Sequence, residues 1–193
     1  MATHAERRKA TRSSIISAAR ECFVAQGFEG THTDSILERA GVSRGAMYHH
    51  FPSKRDVFEA VYVALVEETI TQARKTRVDS DSPLEALFAA CMAWLAAVRK
   101  PAIAKILLDQ GPQVLGWTRA RQIEAEISLP PMRSGLERAQ QANEIEVPSV
   151  EVAALLINAL LAEAALLSAY GKPKPSKDMI EASIRRFVDG LRP

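Results

Sequence analysis

Residues 31–51 read THTDSILERAGVSRGAMYHHF, and the rest of the chain makes sense as the carrier of this stretch. Thr31 stands three residues before Asp34, a carboxylate variant of the box that opens a helix. Ile36, Leu37 and Ala40 then supply one buried stripe on a short helix. Gly41 follows where a left-handed residue ends a helix at low cost. Val42 is an apolar plug for the turn, and Ser43 is a good N-cap for a second helix. Residues 44–51 carry Ala46, Met47 and Tyr48 before Pro52 closes the segment. Helix, tight glycine turn, helix is the helix-turn-helix layout, whose second helix enters the DNA major groove.

Composition bounds what this stretch is attached to. The 193 residues fit one large domain or two small ones, and 47% hydrophobic with 25% charged is ordinary globular content. The net charge of +2 is unevenly placed. Residues 1–55 carry nine Lys/Arg against five Asp/Glu, and the remainder sixteen against eighteen. A basic head on a slightly acidic body suits a nucleic-acid partner. Cys22 and Cys91 sit in apolar helical surroundings and read as small buried hydrophobes in a reducing cytosol. The opening MATHAERRKATR has no apolar core, so no secretory signal is expected and the location expected is cytoplasmic. Residues 150–170 are the most membrane-like. They contain Glu151, Asn158 and Glu163, and their longest charge-free run, 152–162, falls short of the roughly 20 residues a span needs. A buried core or interface helix is expected there, and no membrane partner.

Helical periodicity accounts for the whole chain, so the expected class is all-α, with about nine helices and no strand alternation. Residues 1–10 read as a disordered basic arm in which Arg7, Arg8 and Lys9, with Arg12 just beyond, are placed to touch phosphates. Helix one, about 11–26, buries Ile15, Ala18, Ala19, Cys22 and Phe23 and stops at Gly27. Helix four, about 54–77, has a continuous apolar face from Val57 to Val66 and ends at a polar turn over 78–81. Ser82-Pro83-Leu84-Glu85 opens helix five, to about Arg99. Helix six is expected over 101–110, broken by Gly111-Pro112. Helix seven begins near Gly116-Trp117, and Pro130-Pro131 must kink or split it. Helix eight, 149–170, is apolar nearly all round, which means surrounded by protein. Helix nine, about 176–191, is amphipathic.

The run AGVSRGAMYHHFPSKRDVF resembles the DNA-binding signature of the TetR family of bacterial regulators. Ala40, Gly41, Val42, Ser43, Tyr48, His50, Phe51, Ser53 and Lys54 all match its pattern, and the likeness extends from about Arg12 to Val66. Leu37 departs from it, since the family usually has Ala there. The resemblance implies a helix-turn-helix domain over residues 8–68 and an effector-binding and dimerisation domain over 69–193, with the boundary inside helix four.

What the resemblance implies for the site follows residue by residue. Ser43, Tyr48, His49 or His50, and Lys54 are the phosphate contacts. Arg44 reads a base edge, because a guanidinium pairs bidentately with guanine. Gly45 and Ala46 are small enough for close approach to the groove. Thr31 and Thr33 complete the DNA-binding set, Thr33 against the backbone or a thymine methyl. Phe51 and Val42 are core. One such head covers a half-site, so a palindromic operator and a homodimer joined through helices eight and nine are expected. The resemblance also implies a small hydrophobic effector that releases a repressor from DNA. Phe88, Met92, Trp94, Trp117 and Met132 suit its pocket, with Asn158 or Glu163 as polar groups there or across the dimer interface. A regulator without an effector, and an activator, are the alternatives. An enzyme is not expected, because no nucleophile, carboxylate pair or phosphate-cradling loop is spaced for chemistry. Neither a cofactor nor a metal is expected: His49 and His50 are adjacent on a helix and point apart.

Overall fold

The computed structural model describes residues 3–76 and 80–193. Among these the chain is helical without strands: α1 (His4–Gly30), α2 (Thr33–Ala40), α3 (Arg44–His50), α4 (Lys54–Ala73), α5 (Pro83–Val98), α6 (Pro101–Ala104), a π-helical segment (Lys105–Gln110), α7 (Gly111–Leu115), α8 (Trp117–Gln141), α9 (Val150–Tyr170) and α10 (Lys177–Asp189). The expected end of helix four at Arg77, and Val78 and Asp79 of the turn after it, lie outside the described residues. The chain divides into two compact units, one formed by the residues up to Leu65 with Lys105–Ala120, the other by Val66–Ala104 with Arg121–Pro193. Helix α4 belongs to both.

The first unit begins earlier than expected. In place of a disordered arm, helix starts at His4, because the Thr3 hydroxyl accepts the Glu6 N–H while the Glu6 carboxylate accepts the Thr3 N–H. That reciprocal pair satisfies two end donors and nucleates the turn. The predicted stripe Ile15, Ala18, Ala19, Cys22 and Phe23 is buried. At Gly27 the backbone leaves helical geometry, and Phe28 folds back onto Phe23 and Phe58, whose ring centroids lie 5.8 and 5.4 Å away. Breaking the helix there frees carbonyls that need donors. Side chains from distant segments supply them. Lys105 Nζ reaches Val24 O at 2.6 Å, Gln110 Nε2 reaches Phe23 O at 3.2 Å, and Lys54 Nζ reaches Phe28 O and Thr31 O at 2.8 and 3.0 Å.

The expected break at Gly111-Pro112 is a correction: helix continues from Pro101 through Leu115 and stops at Gly116. Proline lacks an N–H to donate, and Pro112 falls in the first turn of α7, directly after the π-helical segment. The π-helical segment just before it absorbs the change of register. Gly111 lies against the Tyr62 ring, where a Cβ would meet Cε2 at 2.2 Å. Arg55 donates to Val114 O and Leu115 O, and Arg119 pairs with Glu59, so the segment is tied to α4.

In the second unit, Ser82 caps α5 by accepting the Glu85 N–H, as expected. The Glu85 carboxylate does not close the box. It is held by Arg185 and Arg192, and Glu144 accepts the Ser82 hydroxyl and the Leu84 N–H instead. Helix α8 runs through Pro130-Pro131 without a split. Ile123, Met132, Leu136 and Ala139 bury one side of that helix across the pair, and this packing outweighs the local loss of backbone bonds. Cys91 is fully buried and burial alone pushes its thiol up to about 12, so it acts as a small hydrophobe. Helix α9 is long and apolar enough by composition to cross a membrane. It buries Ala153, Ala154, Ile157, Leu161, Ala164 and Ala165 among its neighbours α5 and α10. Within the single chain the helix is not enclosed all round: Val152, Leu155, Leu156, Leu167 and Tyr170 are exposed.

Candidate nucleic-acid interface

Gly41 sets the geometry of the site. Its φ of 65° is left-handed, a conformation that costs an ordinary L-residue about 1–2 kcal/mol. With it the Val42 N–H reaches back to Leu37 O at 3.2 Å and α3 can start at once. Ser43 Oγ accepts the Ala46 N–H at 3.2 Å, which caps that start. Met47 and Phe51 are buried and pin one side of α3 to the unit's core. Ser43, Arg44, Gly45, Tyr48 and His49 stand exposed on the other side, Ala46 and His50 are half-buried, and Gly45 adds no side chain. The helix therefore offers solvent a row of small and polar groups over a backbone that a partner can approach closely. Val42, expected as core, is half-buried; Thr33 is half-buried in the first turn of α2.

Two of the predicted contacts have other work. Thr31 is 1% exposed and its hydroxyl donates to Gly27 O at 2.6 Å. It neither caps α2, which begins at Thr33 after an uncapped His32, nor can its side chain reach DNA. This is a correction, and the cause is the freed carbonyl of the Gly27 break. The Lys54 ammonium donates to Phe28 O and Thr31 O and lies 4.3 Å from the Phe28 ring centroid, so it fastens α4 to the end of α1.

The early start of α1 extends the helix that carries Arg12 back over Arg8, which the sequence placed on a loose arm. Arg12 lies 5.2 Å from the Phe51 ring centroid, and Arg8 and Arg12 both act electrostatically on His50. The signal was present in the Thr3–Glu6 spacing. The His50 ring titrates below the ordinary histidine range, first through burial and then through the positive charges of His49, Arg8 and Arg12. Its folded form thus binds a proton less readily than its unfolded form. The stability His50 contributes is present above the ordinary value of about 6.5 and is lost as pH falls through and below it. The thermal midpoint is expected to fall more steeply from pH 7 to pH 5 in the native chain than in His50→Gln. Equal slopes would contradict this.

The residues expected to line an effector pocket are less coherent. Phe88 and Met132 are buried, and Met92, Trp94 and Asn158 half-buried, all in the second unit. Asn158 Oδ1 already accepts the Ser128 hydroxyl at 2.9 Å. Glu163 is exposed, and Trp117 is 57% exposed and belongs to the first unit. Glu163 lies on the exposed side of α9, and Trp117 opens α8 just after the Gly116 turn.

A left-handed glycine between two short helices, with a capped second helix showing a polar outer row, defines a helix-turn-helix DNA-binding protein. Comparison with known proteins agrees. Residues 15–61 match the family described as bacterial regulatory proteins, tetR family, and residues 84–191 match the tetracyclin repressor-like C-terminal domain. The chain belongs to the TetR family and is a transcriptional regulator, not an enzyme. It is 25% identical over 153 residues to the transposon Tn10 TetC protein of Escherichia coli, spanning 78% of this chain and 76% of that one. With the uncharacterized HTH-type transcriptional regulator TtgW of Pseudomonas putida it shares 33% identity over 117 residues, 61% of this chain and 87% of the relative. A TetR-family transcriptional regulator from Pectobacterium atrosepticum superimposes with a TM-score of 0.83 at 25% identity, covering 99% of this chain and 98% of that one.

Proposed function

We propose that this regulator is a cytoplasmic repressor that binds a palindromic operator as a homodimer and is released by a small hydrophobic ligand. The observation that carries the DNA reading is α3 itself: Met47 and Phe51 are buried behind it while Ser43, Arg44, Gly45, Tyr48 and His49 face outward. Ser43, Tyr48, His49 and His50 contact phosphates, with Thr33 at the start of α2. Arg44 reads a guanine edge, and Gly45 and Ala46 admit the groove floor. Helices α9 and α10 form the dimer interface, supported by the exposed Leu155, Leu156 and Leu167 of one and Met179 and Phe187 of the other. Large apolar side chains left together in water favour a partner surface. The effector site is assigned to the second unit around Phe88, Met92, Trp94 and Met132, and its signal passes along α4, which is shared by both units. A dimer seated across an operator blocks other proteins from that DNA, hence repression.

Selection of bound duplexes from a random pool tests the reading directly. A two-fold symmetric site is expected. Arg44→Ala is expected to weaken that site by about 10- to 100-fold, since a bidentate arginine–guanine pair is worth about 1–3 kcal/mol, and to relax one base position. Random-sequence duplexes lose far less. If Arg44→Ala lowers affinity for all sequences equally, Arg44 is a phosphate contact instead. A reporter under the selected site separates repression from activation.

A further inference from the structure

The geometry points to Asp34 as a positioning residue that sets how faithfully Arg44 reads its base. Arg44 is the first residue of α3 and Asp34 lies in the first turn of α2. Across the turn, Nη2 of Arg44 donates to Oδ1 of Asp34. Both side chains stay well exposed, 59% for Arg44 and 72% for Asp34. An ion pair that open to water adds little to folding stability. A carboxylate beside a phosphate-binding surface also works against DNA affinity, because it repels the backbone that supplies most of the attraction. Neither stability nor affinity accounts for it.

Geometry does. A free arginine side chain samples many rotamers and loses that freedom when it docks on a base. A guanidinium has five N–H donors in a rigid fork. One held by Asp34 leaves donors for the O6 and N7 of guanine while the side chain is already ordered. The same carboxylate penalises a displaced register, in which its charge would meet phosphate with no guanidinium between them. Asp34 therefore trades total affinity for discrimination, a repulsive element serving specificity.

This rests on Arg44 being the base reader. Affinities of the native chain, Asp34→Asn, Arg44→Ala and the double variant are measured for the selected site, for that site with the Arg44-dependent base changed, and for random duplex, at two salt concentrations. In Asp34→Asn the ratio of specific to changed-base affinity is expected to fall about two- to fivefold, while random-duplex binding tightens. The double variant should show no further loss of discrimination beyond Arg44→Ala. Circular dichroism and the melting temperature should be unchanged, which separates positioning from a folding defect. If Asp34→Asn keeps the ratio, or raises it because Asp34 had withheld Arg44 from DNA, the inference is overturned while the DNA-binding reading stands. If the native chain shows no base preference, both fall together.

Discussion

Gly111→Ala lowers the melting temperature of this protein by roughly 2–12 °C. The added Cβ would lie 2.2 Å from Tyr62 Cε2, 2.9 Å from Cδ2 and 3.1 Å from the carbonyl oxygen of Ile106. None of these yields easily. Tyr62 is fully buried, and Ile106 O belongs to the backbone of the π-helical segment. Overpacking of this kind costs about 1–3 kcal/mol, and 1 kcal/mol moves the midpoint by about 2–4 °C in a chain of this size. Gly190→Ala is the matched control. Its φ of −67° is ordinary helical geometry and its nearest contact is at 3.4 Å, so it should be neutral within about 0.5 kcal/mol. Thermal unfolding followed by circular dichroism decides. A Gly111→Ala protein melting with the native one would mean that the segment is not seated on α4 as described.

Leu156→Asp with Phe187→Asp is expected to yield a folded monomer that has lost its operator. Leu156 is 67% exposed and Phe187 65% exposed, so neither contributes much to the core of its own chain. Placed against a second copy, the two carboxylates would have to be stripped of water beside apolar surface, which is strongly unfavourable. Light scattering should report half the native mass at micromolar concentration. The spectrum and helicity should persist, since exposed substitutions are usually worth under about 0.5 kcal/mol to the fold. Operator affinity should fall at least about a hundredfold, because the second head no longer binds as part of the same molecule. A variant that stays dimeric would move the interface away from α9 and α10. A native chain that is already monomeric would remove the palindrome from the proposal.

Much of the fold was legible because its signals are local. Ser43, Ser82, Ser149 and Ser176 each accept the N–H three residues on, from Ala46, Glu85, Val152 and Met179. The apolar stripes of α1 and of α4 up to Val66 are buried as their spacing requires. Gly41 took the left-handed turn that its position between two short helices demanded. The departures lie where a polar side chain had to choose between partners. Glu85 left its own helix cap for Arg185 and Arg192, about 100 residues away in sequence. No window of neighbouring residues contains that choice.

On its own, the amino-acid order determined the all-α class, the helix-turn-helix and its outward-facing row, and the apolar faces, since each depends on groups three or four residues apart. Tertiary structure alone decided that Thr31 turns inward, that Lys54 holds carbonyls 23 and 26 residues earlier, and that helix passes through Gly111-Pro112. For Thr31 and Lys54 the reason is the break at Gly27: it frees part-buried backbone oxygens, and the donors that satisfy them come from wherever packing brings them close.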